Sequence, residues 1–382
     1  MKPIYHGFDG LEFAIKATIP AELNETLSKL KANIQGHDPE CYFAFGDALL
    51  MVRETGARGG YAYSCREAST GDWFFKKPSL SDPWGVRFSA SSSAIAILGI
   101  EGLRLRCAEV LAALEINAPV EAYRPSRVDF AIDLLAPDFV VCPDNFVIHS
   151  RTGLKSIDLI EELQVNGRSS RTTSVTVGKM PGRQCIIYDK REEVMVKRKY
   201  EWPAIWGRAL NGPTAPPLDL SDRAASQVWR VELRAGKRHL KDAWGINSWA
   251  SLYEMLPRVL LKMMDDISYC EPAPDTNRSR WPNHAIWQAV RHVVASDLFV
   301  EVTTLSPEEY IEIKKAQKVD ELATQTLGLS ISIAAVEGCS ANDFEGFLEG
   351  LAGQLVDKAK SSCRSLPERL GVAAAKYKYL RQ

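Results

Sequence analysis

The chain contains no run of eighteen consecutive apolar residues, and its opening MKPIYHGFDGLEF has no apolar stretch behind the single lysine. The first absence argues against a helical membrane span and the second against a secretory leader, so the expected partners include no membrane and the expected location is the cytoplasm. The eight cysteines form no C-x-x-C pair, which excludes a zinc ribbon and speaks against a disulfide framework. The six histidines are dispersed, with no His-hydrophobic-His triplet and no H-E-x-x-H, so histidine-held metals of nucleases and proteases are excluded as well. Charge of one sign is also missing. With 47 Lys and Arg against 48 acidic residues there is no global positive field, and any nucleic-acid contact must come from local patches. If a metal is bound, carboxylates hold it.

What is present is a large apolar complement, 46% of 382 residues, enough for two domains or one with extensions. Residues 1 to about 120 read as β-rich. DGLEFAIKATIP alternates as a strand and AELNETLSKLKANI has helical spacing. Short aromatic and branched runs follow, in CYFAFGDALLMVRE, GGYAYSCRE, DWFFKK and GVRFSASS. An amphipathic helix is expected over 100–116, and SIDLIEELQVNG suits another ending at Gly167. Two strands meet at Pro181-Gly182, while four prolines between 203 and 225 suggest a loop. From about 246 the periodicity is helical. The expected fold is α+β, an antiparallel sheet core with packed helices over 1–245 and a helical accessory region over 246–382.

The stretch RVDFAIDLL, 127–135, organises the rest. As a strand it puts Arg127, Asp129 and Asp133 on one face and Val128, Phe130, Ile132 and Leu134 on the other. Taken alone, this is an ordinary half-buried strand with a solvated outer face. Two later strands add to it: IIYDK, with Tyr188 and Lys190 on one face, and VWRVELR, with Arg230, Glu232 and Arg234 on one face. If these faces converge, they suit attack by tyrosine on a phosphodiester. Asp129, Asp133 and Glu232 would hold Mg²⁺ or Mn²⁺ through hard oxygen ligands. Tyr188 would be the nucleophile. Lys190 and Arg230 would neutralise phosphate oxygens or lower the phenol's pKa, and Arg127 and Arg234 would contact the anion. Tyr200, beside Lys197, Arg198 and Lys199, is the rival nucleophile but lacks a strand context. Glu232 also reads as the salt-bridge partner of a neighbouring arginine.

The ordered set R-x-D-x-x-x-D (127–133), Ile-Tyr-Asp-Lys (187–190) and W-R-V-E-L-R (229–234) resembles the replication initiation factor family, which includes rolling-circle plasmid initiators and filamentous-phage replication proteins. The resemblance spans roughly residues 80–245. It implies a divalent-metal-dependent enzyme that nicks and rejoins origin DNA, single-stranded or hairpin, through a covalent phosphotyrosine at Tyr188. It also implies a metal site at Asp129, Asp133 and Glu232. A host helicase and a second copy of the chain are further partners to consider. Two alternatives stay open: a DNA-binding regulator on the same fold, and a metal-dependent nuclease that uses water.

Overall fold

A computed structural model describes the chain except for residues 35–40, 46–47, 68, 78, 80, 150–162, 169, 297, 300–304, 362–364, 378–379 and 381–382. Strand β1 (Lys2–Ile15) buries Leu11, Phe13 and Ile15 at period two, as a strand with one covered face must. Helix α1 (Ala21–Ile34) buries Leu23, Leu27 and Ile34 along one side. The strands β2 (Cys41–Phe45), β3 (Ala48–Val52), β4 (Tyr63–Glu67), β5 (Gly71–Phe75) and β6 (Val86–Ala90) follow as a meander. Helix α2 (Ser92–Ala113) begins earlier than its sequence spacing suggests, because Ser91 caps it by accepting from the Ala94 amide. A kink at Gly99, whose φ of 63° suits glycine, interrupts it.

Then come β7 (Tyr123–Leu135), β8 (Phe146–Ile148), β9 (Leu163–Arg168), β10 (Arg171–Lys179) and β11 (Arg183–Asp189). The hairpin expected at Pro181-Gly182 joins β10 to β11. The helix expected over SIDLIEELQVNG lies mostly outside the described residues, but its end, Leu163 to Gly167, is strand. Strand β11 stops where Asp189 caps α3 (Lys190–Val196) by accepting from the Glu192 amide, so Lys190 is helical and does not continue the strand face. The proline-rich stretch expected as loop begins as helix α4 (Glu201–Asn211). Pro203 lies in its first turn, where proline costs no intrahelical hydrogen bond.

Strand β12 (Val228–Gly236) completes an eleven-stranded sheet in the order β2-β3-β4-β5-β6-β1-β7-β12-β11-β10-β9. The pairs are antiparallel throughout, with β1 and β7 side by side at its centre. A six-residue π-helical turn, Arg238–Ala243, follows β12.

Helices α5 (Trp249–Asp266) and α6 (Ala285–Ala295) carry amphipathic stripes, Leu252, Leu256, Val259, Leu260 and Met263 on one and Ile286, Trp287, Val290 and Val294 on the other. Both stripes enter the same core as Val128, Phe130, Ile132 and Leu134 of β7, each side chain stabilising the fold by roughly 1.5–3 kcal/mol. The boundary expected at 245 therefore moves. One compact unit holds 1–197 and 202–305, including α5, α6 and the small strand β13 (Ile267–Tyr269) paired with β8. The second holds 198–201 and 306–382, with helices α7 (Pro307–Val336), α8 (Phe344–Lys360) and α9 (Leu366–Lys376).

Candidate active site

The apolar side of β7 being committed to the core, its other side is left to polar groups, and register decides which of them meet. Tyr5 of β1, Asp133 of β7, Arg230 of β12 and Tyr188 of β11 form one cross-strand row. Gly7, Ala131, Glu232 and Ile186 form the next, and Gly10, Asp129, Arg234 and Gln184 the third. Side chains in a row share a face. Tyr188 and all three predicted carboxylates thus stand on one side of the sheet.

Within that face the charges pair off. Arg230 has no exposed surface; its Nε and Nη2 donate to the two Asp133 oxygens at 2.5 and 2.9 Å, and its Nη1 donates to Asp9 at 2.8 Å. Trp206 of α4 donates its indole N–H to Asp133 at 2.9 Å. The Trp202 ring lies 4.2 Å from the Arg230 guanidinium and meets Tyr5 edge-on at 4.8 Å. Arg127 clasps Asp129 through contacts of 2.6, 2.9 and 3.0 Å and reaches Glu12 at 3.7 Å. Arg234 donates to Glu232 at 2.7 Å and lies 3.7 Å from Asp129. The other Glu232 oxygen, Oε2, is buried without a hydrogen-bond partner.

Three expectations are corrected here. Asp129 and Asp133 share a face, but four residues of strand separate them by roughly 13 Å, far beyond the span of one cation's ligands. With both Asp133 oxygens taken, the trio Asp129, Asp133 and Glu232 does not fit a common metal ion. Among the described residues no group of three His, Cys, Asp or Glu side chains could hold one. Arg230, sealed beneath the tryptophans, has no surface to offer a phosphate. Arg127 and Arg234 keep part of theirs.

The third correction is electrostatic. The Tyr188 phenol is pushed well above its ordinary value by burial, which outweighs the opposing pull of Arg230. Cations nearby do not acidify it. Lys190 behaves in the complementary way: it is 1% exposed, and burial, with Arg230 second, lowers its amine to about 8. Its Nζ lies 5.7 Å from the centre of the Tyr188 ring and 4.7 Å from that of Trp202, and pairs with Glu193 at 2.5 Å. Burial also raises Glu232, with Asp9 and Asp129 adding to the shift and Arg234 opposing it.

Residues outside the three motifs complete the site. Asp9 sits at a register shift in β1 between Phe8 and Gly10. A side chain at Gly10 would come within 2.7 Å of an Asp129 oxygen, so glycine there leaves the carboxylate its place. The F-D-G sequence hinted at such an irregularity, and the Trp202/Trp206 spacing at one helical face. Tyr200, the rival nucleophile, is 45% exposed and belongs to no strand.

No protein-family model matches the chain and no curated protein matches it. Among solved structures it is similar to the rolling circle replication initiator protein from Geobacillus stearothermophilus, at 12% identity over 78% of this chain and 98% of that one, with a TM-score of 0.37.

Proposed function

We propose that this chain initiates rolling-circle replication by nicking and rejoining an origin DNA strand, single-stranded or in a hairpin, through a phosphotyrosine at Tyr188. The observation that carries this reading is the placement of the Tyr188 ring, on the charged face of the sheet, 5.7 Å from the Nζ of the buried Lys190. The order of the three strand motifs supports it.

A phenol held above its ordinary pKa is a poor nucleophile until a base removes its proton. Lys190, neutral in a useful fraction near pH 8, is that base. The phenolate oxygen attacks phosphorus, the bond to the 3′-oxygen breaks, and the leaving 3′-oxygen takes a proton from solvent. A 5′-phosphotyrosyl end and a free 3′-hydroxyl remain, and rejoining runs the same exchange backwards. Arg127 and Arg234, paired with Asp129 and Glu232 yet partly exposed, hold the phosphate. The buried Arg230 and Asp133, with the half-buried Asp9, form the platform beside Tyr188.

Mg²⁺ or Mn²⁺ belongs to the proposal as a requirement to be measured, and no step is drawn through it. The test incubates the protein with labelled single-stranded origin oligonucleotides, with Mn²⁺ or with EDTA, and looks for an SDS-stable adduct. An adduct lost in Tyr188→Phe supports the scheme. Cleavage without adduct assigns a water-using nuclease, and binding without cleavage a regulator.

A further inference from the structure

We propose that the C-terminal helical unit joins two copies of this chain, with α7 packing against its counterpart through the seam Val319, Leu322, Thr326, Leu329, Ile333 and Val336. The unit has almost no core of its own. Among its described residues the buried apolar side chains are Tyr310, Ala334, Leu351 and Leu380, while Val319, Leu329 and Val336 are 62, 67 and 88% exposed. A thirty-residue helix with so much uncovered apolar surface is not stabilised by what it touches within the unit.

The seam has a register. Its members follow one another at steps of three and four residues, the a and d spacing of helices that pack side by side. At 100° per residue, the buried Ser330 and Ala334 lie about a quarter-turn from it, and within the unit α7 packs against α8. Two apolar faces at that angle are what a helix in a four-helix bundle presents to its two neighbours. Within the unit, α8 fills one of them.

A second copy fits the other face better than a foreign partner. From Leu322 to Val336 the helix carries no charge, so it offers nucleic acid or an acidic protein no counter-ion. The seam is also its own complement. Leu322 lies seven residues before Leu329 and Val336 seven after, so an antiparallel pair with its two-fold axis at Leu329 sets Leu322 opposite Val336 and Leu329 opposite itself.

Light scattering on the full chain at micromolar concentration is expected to give twice the 42.5 kDa chain mass. Leu329→Glu with Ile333→Glu halves it while far-ultraviolet circular dichroism is unchanged. Ile331→Glu, on the opposite side of the helix, leaves the dimer intact. Should the double variant fail to fold, Leu329→Cys in a chain carrying Cys339→Ser and Cys363→Ser decides: on oxidation it yields a covalent dimer and Ile331→Cys does not. A wild-type chain of single mass overturns the proposal; if Leu329→Glu then lowers the melting temperature, the seam is covered by another part of the same chain. A dimer untouched by the seam glutamates overturns it too.

Discussion

Arg230 closes on Asp133 through two hydrogen bonds, of 2.5 and 2.9 Å, at a point where neither side chain has exposed surface. The residue expected as a metal ligand and the residue expected as a phosphate contact neutralise each other. Their pairing explains why Asp9 and Trp206 are drawn to the same place: the remaining N–H of one and the second oxygen of the other need partners.

Removing one member of that pair leaves a buried charge uncompensated. Asp133→Ala is expected to cost about 3–5 kcal/mol of stability, read as a fall in the urea midpoint with unchanged slope. A loss of activity at full stability would instead mark Asp133 as a ligand to something outside the chain.

On the proposed mechanism Lys190 ties the rate to pH. The amine acts as a base only when neutral, so adduct formation should rise with pH and level off above about 8. Lys190→Arg, which cannot deprotonate, should lower the rate about 10²-fold or more and remove that inflection. The same group sets a stability window. With its folded value below the ordinary 10.5, the unfolded chain binds the extra proton between about pH 8 and 10.5, so stability rises with pH through that interval and is lost as pH falls toward 8. Thermal melts of wild type and Lys190→Met across pH 7–11 measure the difference.

Glu232 separates structure from chemistry. Its raised value means that the folded state holds its proton more firmly than the unfolded one, so this contribution is present at low pH and fades as pH rises through the folded value. Glu232→Gln imitates the protonated form and should keep or slightly raise stability at pH 8. The adduct yield should fall more than tenfold if the carboxylate's open oxygen serves the reaction. An unchanged yield would make Glu232 only the partner of Arg234.

The face of β7, the hairpin at Pro181-Gly182 and the stripes of α5 and α6 were legible because each is a local pattern, two or 3.6 residues in period. The partners across the sheet were not. Tyr5 and Asp9 reach the site through a pairing of β1 with β7 that spans more than a hundred residues, and a register shift places Asp9, which no alternation rule foresees. The carboxylate trio shares a face without meeting, because the strand advances about 3.3 Å at each residue. Lys190 reads as strand in the sequence because the Asp189 that caps the helix continues the strand pattern equally well. Trp202 and Trp206 were hidden by a proline-rich stretch that reads as a loop, whereas its first proline, Pro203, lies inside a helix.

The most direct measurement identifies the amino acid that carries the DNA. The protein is incubated with a labelled origin oligonucleotide, the SDS-stable product is digested, and the nucleotide-bearing peptide is sequenced by mass spectrometry. The account predicts a 5′-phosphotyrosine on Tyr188, in the peptide that precedes Lys190. A nucleotide on Tyr5 or Tyr200, or strand cleavage that leaves no nucleotide on the protein, would contradict it.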